Sequence, residues 1–335
     1  MCKIRFGLAV VVAGTMFLSG CAQEAGVPQV QKTDIVSNIL PQGKYAELAT
    51  AVSATIEQAD QSRDTAALGE RITGPLRIQR EAEYNLATIT ETTVPTSFTL
   101  DSKEVTVSSG TDFPRTMMAI DKTNTARGIG TIAVWQQPTA RQNYSLWAVL
   151  DMFPSPPKIE IINKQNDDQG YLATQAGEYL VDPAAVLDAY ATYATNRAVG
   201  DVPFKTGDPL YQETEKQAQD LTSALNGLGN AATSFSVPNK DIRAVSTKDG
   251  GLLVVGELRY DMTVTRTKDT AKLKLGSFIG ALASGTKDGV IEVDNPVVAQ
   301  YATSVAFYLP PKGSEVPIQL IGASVPALIS VVKAG

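Results

Sequence analysis

IRAVSTKDGGLLVVGELRYDMTVT, residues 242–265, contains two runs of strand-forming residues joined by Lys248-Asp249-Gly250-Gly251. Ile242 to Ser246 and Leu252 to Thr265 are rich in apolar and β-branched side chains, and the Asp-Gly-Gly between them is the chemistry of a tight hairpin turn. Strands joined by so short a turn run antiparallel. Further strands are predicted at Val290 to Val293, Val297 to Leu309 and Ile318 to Val332. Upstream, Asp182-Pro183 opens a helix through Val186, Leu187, Tyr190 and Tyr193, with Asp182 as N-cap and Pro183 in the first turn. A second helix is predicted from Pro209 to Leu228, with Ala218, Leu221, Leu225 and Leu228 on one face. This half of the chain therefore reads as helices followed by an antiparallel meander.

The preceding half has the same order. Tyr45, Leu48, Ala49, Val52, Ile56 and Ala59 recur at three and four residues, the spacing of one amphipathic helical face. Further helices are predicted from Ala66 to Ile72 and from Leu76 to Ile89, separated near Gly74-Pro75. A strand follows through Phe98 and Leu100, then Val105 and Val107, and another at Met117 to Ile120. Gly130 to Trp135, Leu146 to Met152 and Lys158 to Ile162 complete the set. The fold class expected is α+β, a tandem of two helix-plus-antiparallel-sheet repeats of the cystatin-like or NTF2-like cone type. The first repeat covers 44–166, a linker 167–181, and the second repeat 182–335. A single larger α+β domain is the alternative.

The N-terminus has a separate logic. Lys3 and Arg5 precede an apolar run from Gly7 to Phe17, followed by Leu18-Ser19-Gly20-Cys21. A helix of that run is roughly 16 Å long, against a bilayer core of roughly 30 Å. The pattern is that of a lipoprotein signal over 1–20. Leu18, Ser19 and Gly20 form the signal-peptidase recognition site, and the Cys21 thiol takes a diacylglycerol before cleavage. Two or three acyl chains, palmitate among them, anchor stably at roughly 0.8 kcal/mol per buried methylene. Residues 21–43, polar and broken by Pro28 and Pro41, read as a flexible tether with a reach of roughly 25 Å. The expected location is the extracytoplasmic face of the cell membrane.

Composition removes whole classes of mechanism. The chain has no histidine, and its two cysteines lie at Cys2, within the signal, and Cys21. Disulfides, Cys/His metal sites and imidazole-based triads are therefore not expected. No cofactor or metal is expected either. Without Lys3 and Arg5, 27 basic residues face 35 acidic ones, a net charge of −8. Such a surface disfavours nucleic acid.

Several fragments imitate catalytic or metal motifs. Ser284-Gly285-Thr286-Lys287 and Lys205-Thr206-Gly207 match the Ser-x-x-Lys and Lys-Thr-Gly of penicillin-binding proteins in the wrong order, and read as two loops. Asp121, Thr123 and Asn124 lack the central Gly and terminal Glu of a calcium loop, and Asn166 to Gly170 reads as a turn or linker. Trp135, Tyr144 and Trp147, on adjacent strands, are the candidate ligand pocket of a cone; the plainer reading is that they fill the core of the first repeat.

The lipobox, Thr73-Gly74-Pro75 with Arg80, Ala82 and Tyr84 after it, and Phe307 to Gly313 resemble a group of lipoproteins of actinobacterial cell envelopes. The resemblance covers most of the mature chain and implies no activity. Function narrows to three classes. The first is a non-catalytic envelope lipoprotein that binds a partner protein, a lipid or a wall component. The second is an accessory subunit without a ligand. The third is a cone-fold isomerase or hydratase using Asp151 or Tyr144, although strand alternation would equally turn Asp151 to solvent.

Overall fold

A computed structural model describes residues 40, 43–93, 98–102, 104–108, 113–122, 129–154, 156–157, 159–161, 179–198 and 201–333. The signal, Cys21 and nearly all of the expected tether lie outside these residues, as do most of the expected linker and the Asn166 to Gly170 segment. The elements in order are α1 (Lys44–Ser62), α2 (Gly74–Thr90), β1 (Glu104–Val107), β2 (Arg115–Asp121), β3 (Thr131–Gln137), β4 (Ser145–Met152), α3 (Val186–Asn196) and α4 (Pro209–Ala224). They continue with β5 (Gly229–Ser236), β6 (Ile242–Ser246), β7 (Leu252–Arg266), β8 (Lys274–Leu275), α5 (Ser277–Ser284), β9 (Ile291–Glu292), β10 (Val297–Leu309), β11 (Gln319–Ala323) and β12 (Ala327–Lys333). The class is α+β.

Ten strands form one sheet in the order β1-β2-β3-β4-β11-β10-β7-β5, with β6 also on β7 and β12 also on β10. Every pairing in it is antiparallel. The Lys248 to Gly251 turn joins β6 and β7 as the sequence predicts. Gly250 takes φ +81°, and the Asp249 carboxylate accepts hydrogen bonds from the Thr247 hydroxyl at 2.5 Å and the Tyr308 hydroxyl at 2.6 Å. The strand expected over Ile318 to Val332 is split into β11 and β12 at Ser324-Val325-Pro326, because Pro326 has no N–H to give the ladder. The helix expected over Ala66 to Ile72 is a 3₁₀ turn, Thr65–Leu68, after which Ile72 bridges Leu146 in parallel. Of the strand expected over Lys158 to Ile162, residues 159–161 are described, and there Ile161 makes an isolated antiparallel bridge to Thr247.

Alternation along the strands fills two cores at once. Val105, Met117, Ala119, Ala133, Trp135 and Leu146 pack beneath α1 and α2, and Leu252, Val254, Leu258, Val305, Phe307 and Leu320 pack beneath α3 and α4. The intervening residues turn to the opposite face. There Met118, Ile132, Val134, Trp147 and Leu150 meet Val245, Leu253, Val255, Ala306 and Ile321, so the two halves of the sheet also pack against each other. Strands buried on both faces need apolar side chains at consecutive positions, which explains runs such as Met117 to Ile120 and Leu252 to Val255.

Asp208 caps α4. Its carboxylate accepts hydrogen bonds from the Tyr211 amide and the Tyr190 hydroxyl, both at 2.9 Å, while the second oxygen has no partner among the described residues. Burial pushes this carboxyl above its ordinary value, against the pull of those hydrogen bonds. A proton held more tightly in the folded chain favours folding below the ordinary carboxyl range, and that advantage disappears as pH rises through the raised value. Asp208→Asn keeps the capping oxygen, so its urea stability should decline less than the wild type's between about pH 4 and about pH 7. A parallel decline in both proteins would show that Asp208 is not the titrating group. Asp208→Ala, which removes the cap, should cost about 1 kcal/mol.

Candidate functional site

The break at Ser324-Val325-Pro326 opens a cleft between α2 and the seam where β4 meets β11. The cleft is about 260 Å³ and is lined by Leu76, Gln79, Arg80 and Glu83 of α2, by Phe98, by Val149, Leu150 and Asp151 of β4, and by Ser324 and Val325. Leu76, Gln79, Arg80 and Glu83 stand at i, i+3, i+4 and i+7, so one helical stripe forms an entire wall. β4 and β11 pair only at Met152 with Gly322 and at Asp151 with Ala323. The seam is narrow, and α2 straddles it.

Gln79 fastens the helix across the seam. Its amide donates to the Ala302 carbonyl at 3.2 Å and to the Ser324 hydroxyl at 2.6 Å. Ser324 in turn accepts from the Ser304 amide at 2.8 Å, and its carbonyl accepts from the Thr303 hydroxyl at 2.8 Å. The Ser324 N–H still donates to the Ser304 carbonyl at 2.9 Å, and side chains supply the bonds around it.

Arg80 forms the charged floor at 3% exposure. Its guanidinium lies 3.1 Å from a Glu83 oxygen, 3.7 Å from an Asp60 oxygen and 5.5 Å from the Phe98 ring centre. The Tyr84 hydroxyl donates to Asp60 at 2.6 Å, fixing that carboxylate. Burial pushes the Glu83 carboxyl above its ordinary value, Arg80 opposes this, and Asp60 adds to it. Asp151, half-buried, faces the same space rather than open solvent. Gln79 and Glu83 were not legible as site residues, although polar side chains sharing a helical stripe with Leu76 are the pattern that would have raised them.

Trp135, Tyr144 and Trp147 do not share a pocket. The register of β3 on β4 shifts between Val134 and Trp135, pairing Val134 with Ala148 and Trp135 with Leu146, and leaving Trp147 as the extra residue of a bulge. Trp135 is buried in the core beneath α1, edge-on to Tyr45 with ring centres 5.9 Å apart. Tyr144 is partly buried at the margin of that core, and burial raises its hydroxyl above the ordinary value despite Arg115. Trp147 lies in the core between the halves of the sheet, with the Arg243 guanidinium 4.7 Å from its ring centre. Arg243 also donates to Gln136, whose amide donates to the Thr73 hydroxyl at 3.0 Å.

The motif fragments are structural. Ser284 closes α5 with its hydroxyl donating to Gly280 at 2.8 Å, and Lys287 pairs with Glu91 at 2.9 Å on the surface. The Lys205 amide donates to the Ile318 carbonyl at 2.8 Å, in a separate loop. Among the described residues no group of three or more carboxylates is placed to hold a metal ion. No helix among them is long and apolar enough to cross a membrane.

Neither the curated proteins nor the solved structures contain a match to the chain. One family model matches residues 43–327, from the residue before α1 to the start of β12, and so takes in every residue that lines the cleft. With that much of its length matched, the chain belongs to the family described as a domain of unknown function, DUF8094.

Proposed function

We propose that the chain is a lipid-anchored, extracytoplasmic binding protein, non-catalytic, that holds a component of the cell envelope in the cleft between α2 and the β4–β11 seam. The observation that carries this reading is the burial of Arg80 and Gln79, with Glu83 half-buried beside them, along one wall of an open cleft. Buried charges stabilise a fold poorly compared with apolar side chains of the same volume, so their concentration at a concave surface favours recognition. Arg80 is already matched by Glu83 and Asp60. That supports a binding role over proton transfer.

The anchor rests on Leu18-Ser19-Gly20-Cys21 and on the resemblance to actinobacterial envelope lipoproteins. The tandem of cone-like repeats is supported by chain order. Each half runs through helices and then an antiparallel meander, β1 to β4 and then β5/β6, β7, β10 and β11/β12. The last strands of the two meanders lie side by side, as two copies related by a twofold axis would place them.

In a bacterial host fed labelled palmitate, the wild-type chain should take up label and sediment with membranes, and Cys21→Ser should do neither. Unchanged labelling of Cys21→Ser would sink the anchor. The binding role is tested by native mass spectra of the protein incubated with envelope extract and recorded before and after denaturation. A bound mass released on unfolding is expected. A folded protein with no bound mass favours an accessory subunit instead.

A further inference from the structure

We propose that the end of the molecule built by β8, α5 and β9 docks on the surface of an anionic phospholipid bilayer, with Phe278 and Val290 entering the headgroup layer. This deepens the membrane anchoring proposed above and rests on it; the cleft plays no part.

Three of the six large apolar side chains exposed among the described residues, Leu228, Phe278 and Val290, lie at this end. α5, Ser277–Ser284, carries no charge, and its Ile279 packs on a small core of Leu225, Val264, Leu273, Leu275, Val293 and Val297. Phe278 is left 52% exposed. Val290, 55% exposed, stands beside the start of α5, since a Cβ on Gly276 would lie 3.6 Å from its Cγ2. The Leu228 carbonyl accepts from the Thr267 amide at 3.0 Å, which brings Leu228 to the same end.

Charge separates this end from the rest of the chain. From Arg266 to Lys287, five basic residues meet one acidic residue, Asp269. With the neighbouring Glu91, Asp288, Glu292, Asp294 and Lys333 included, six basic residues meet five acidic, whereas the remainder of the chain holds 23 basic against 30 acidic. An acidic body approaches an anionic surface with least repulsion through such an end. Lys268, Lys272, Lys274 and Lys287 are all exposed. Apolar side chains held out among lysines, whose stems can run past them to the phosphates, have the composition of an interfacial membrane contact.

Area and position favour a bilayer over a protein. Three side chains fall well short of the roughly 800 Å² per partner of a stable protein interface. A weak contact suffices for an anchored chain, because the anchor keeps the local concentration of bilayer high. Arg63, after the last turn of α1, donates to the Ala87 carbonyl at 3.0 Å, and Glu91, at the end of α2, pairs with Lys287. α1 therefore runs toward this end, and its 19 residues span about 28 Å. That distance is comparable with the roughly 25 Å reach of the tether.

The test adds the lipidated full chain to preformed vesicles of phosphatidylcholine and phosphatidylglycerol with brominated acyl chains, which quench tryptophan on contact. Trp135 and Trp147 are buried and give the baseline. Phe278→Trp should lose emission beyond that baseline. Val316→Trp should not, because Val316 is exposed in the turn after β10, whose 13 residues carry the chain about 40 Å from Val297. Lys268→Gln and Lys272→Gln, each placed on Phe278→Trp, should weaken the docked state about fivefold. Vesicles of phosphatidylcholine alone should weaken it as well. Equal quenching at 278 and 316, or none at either, in a chain that sediments with the vesicles overturns the docking and leaves the anchor. Quenching at 278 indifferent to lipid charge and to both lysines overturns the anionic surface. A blue shift of Phe278→Trp in detergent alone that disappears on dilution assigns the patch to a second copy of the chain. A chain that does not sediment with the vesicles removes the anchor and the docking together.

Discussion

Replacing Arg80 with Leu is expected to cost about 3–5 kcal/mol of folding stability. The change leaves the packing volume of the side chain largely in place, so the cost comes from charge. Glu83 at 3.1 Å and Asp60 at 3.7 Å lose their shared cation inside the fold, with Asp151 across the cleft as a further negative group and the Tyr84 hydroxyl as the remaining donor to Asp60. The Glu83 carboxyl, already raised by burial and then no longer opposed by Arg80, should hold its proton still more tightly in the folded chain than in the unfolded one. Such groups stabilise the fold at low pH and lose that contribution as pH rises. The deficit of Arg80→Leu against wild type should therefore be larger near pH 7 than near pH 5. Adding Glu83→Leu to Arg80→Leu should recover part of the loss, because the pair is then removed together. A pH-independent deficit with no recovery in the double variant would show that Arg80 acts by packing alone.

Gly74→Ala should be of similar severity, about 3 kcal/mol or more, for an unrelated reason. Gly74 opens α2 at φ +58°, and a Cβ there would lie 2.3 Å from Cδ1 and Nε1 of Trp147. Trp147 cannot retreat, because it is fully buried and the Arg243 guanidinium lies over its ring at 4.7 Å. The start of α2 must move, and with it the helix whose next two turns carry Gln79, Arg80 and Glu83. Urea unfolding of Gly74→Ala, Trp147→Leu and the double variant checks this. The double variant should lose well under the sum of the two single losses, since the smaller side chain gives the new methyl room. Strict additivity would place the cost in the backbone at residue 74 and not in the ring.

Much of the fold was legible because it is local. The spacing of Tyr45, Leu48, Val52, Ile56 and Ala59 identifies the buried stripe of α1, and the Asp249-Gly250 turn declares the β6–β7 hairpin. What was misread depends on distant partners. Ala66 to Ile72 has apolar residues at helical spacing, yet Ile72 is extended because its neighbours Arg71 and Thr73 exchange backbone hydrogen bonds with Leu146. α5 went unseen because it lasts only eight residues; Gly280 and Gly289 let its backbone approach the following loop so closely that a Cβ on Gly280 would sit 2.2 Å from the Gly289 carbonyl. The candidate site divides in the same way. The amphipathic spacing of α2 was visible, whereas the cleft beneath it is completed by Ser324 and Val325, which lie far away in the chain. The two tryptophans seemed neighbours on adjacent strands, but a one-residue bulge sends them to opposite faces.

The two residue pairs joining β4 to β11 are about 170 residues apart in the chain, whereas each hairpin within a half links close neighbours. Contacts of short loop length form early and long closures late. On that ground each half is expected to condense first and the join between them to form last. Trp135 sits wholly within the first half and Trp147 between the halves, so the two indoles act as separate clocks, one for condensation and one for docking. The cleft is absent until the second clock has run. Any molecule that binds only the finished cleft would therefore favour the docked state over the separate halves and draw the assembly to completion.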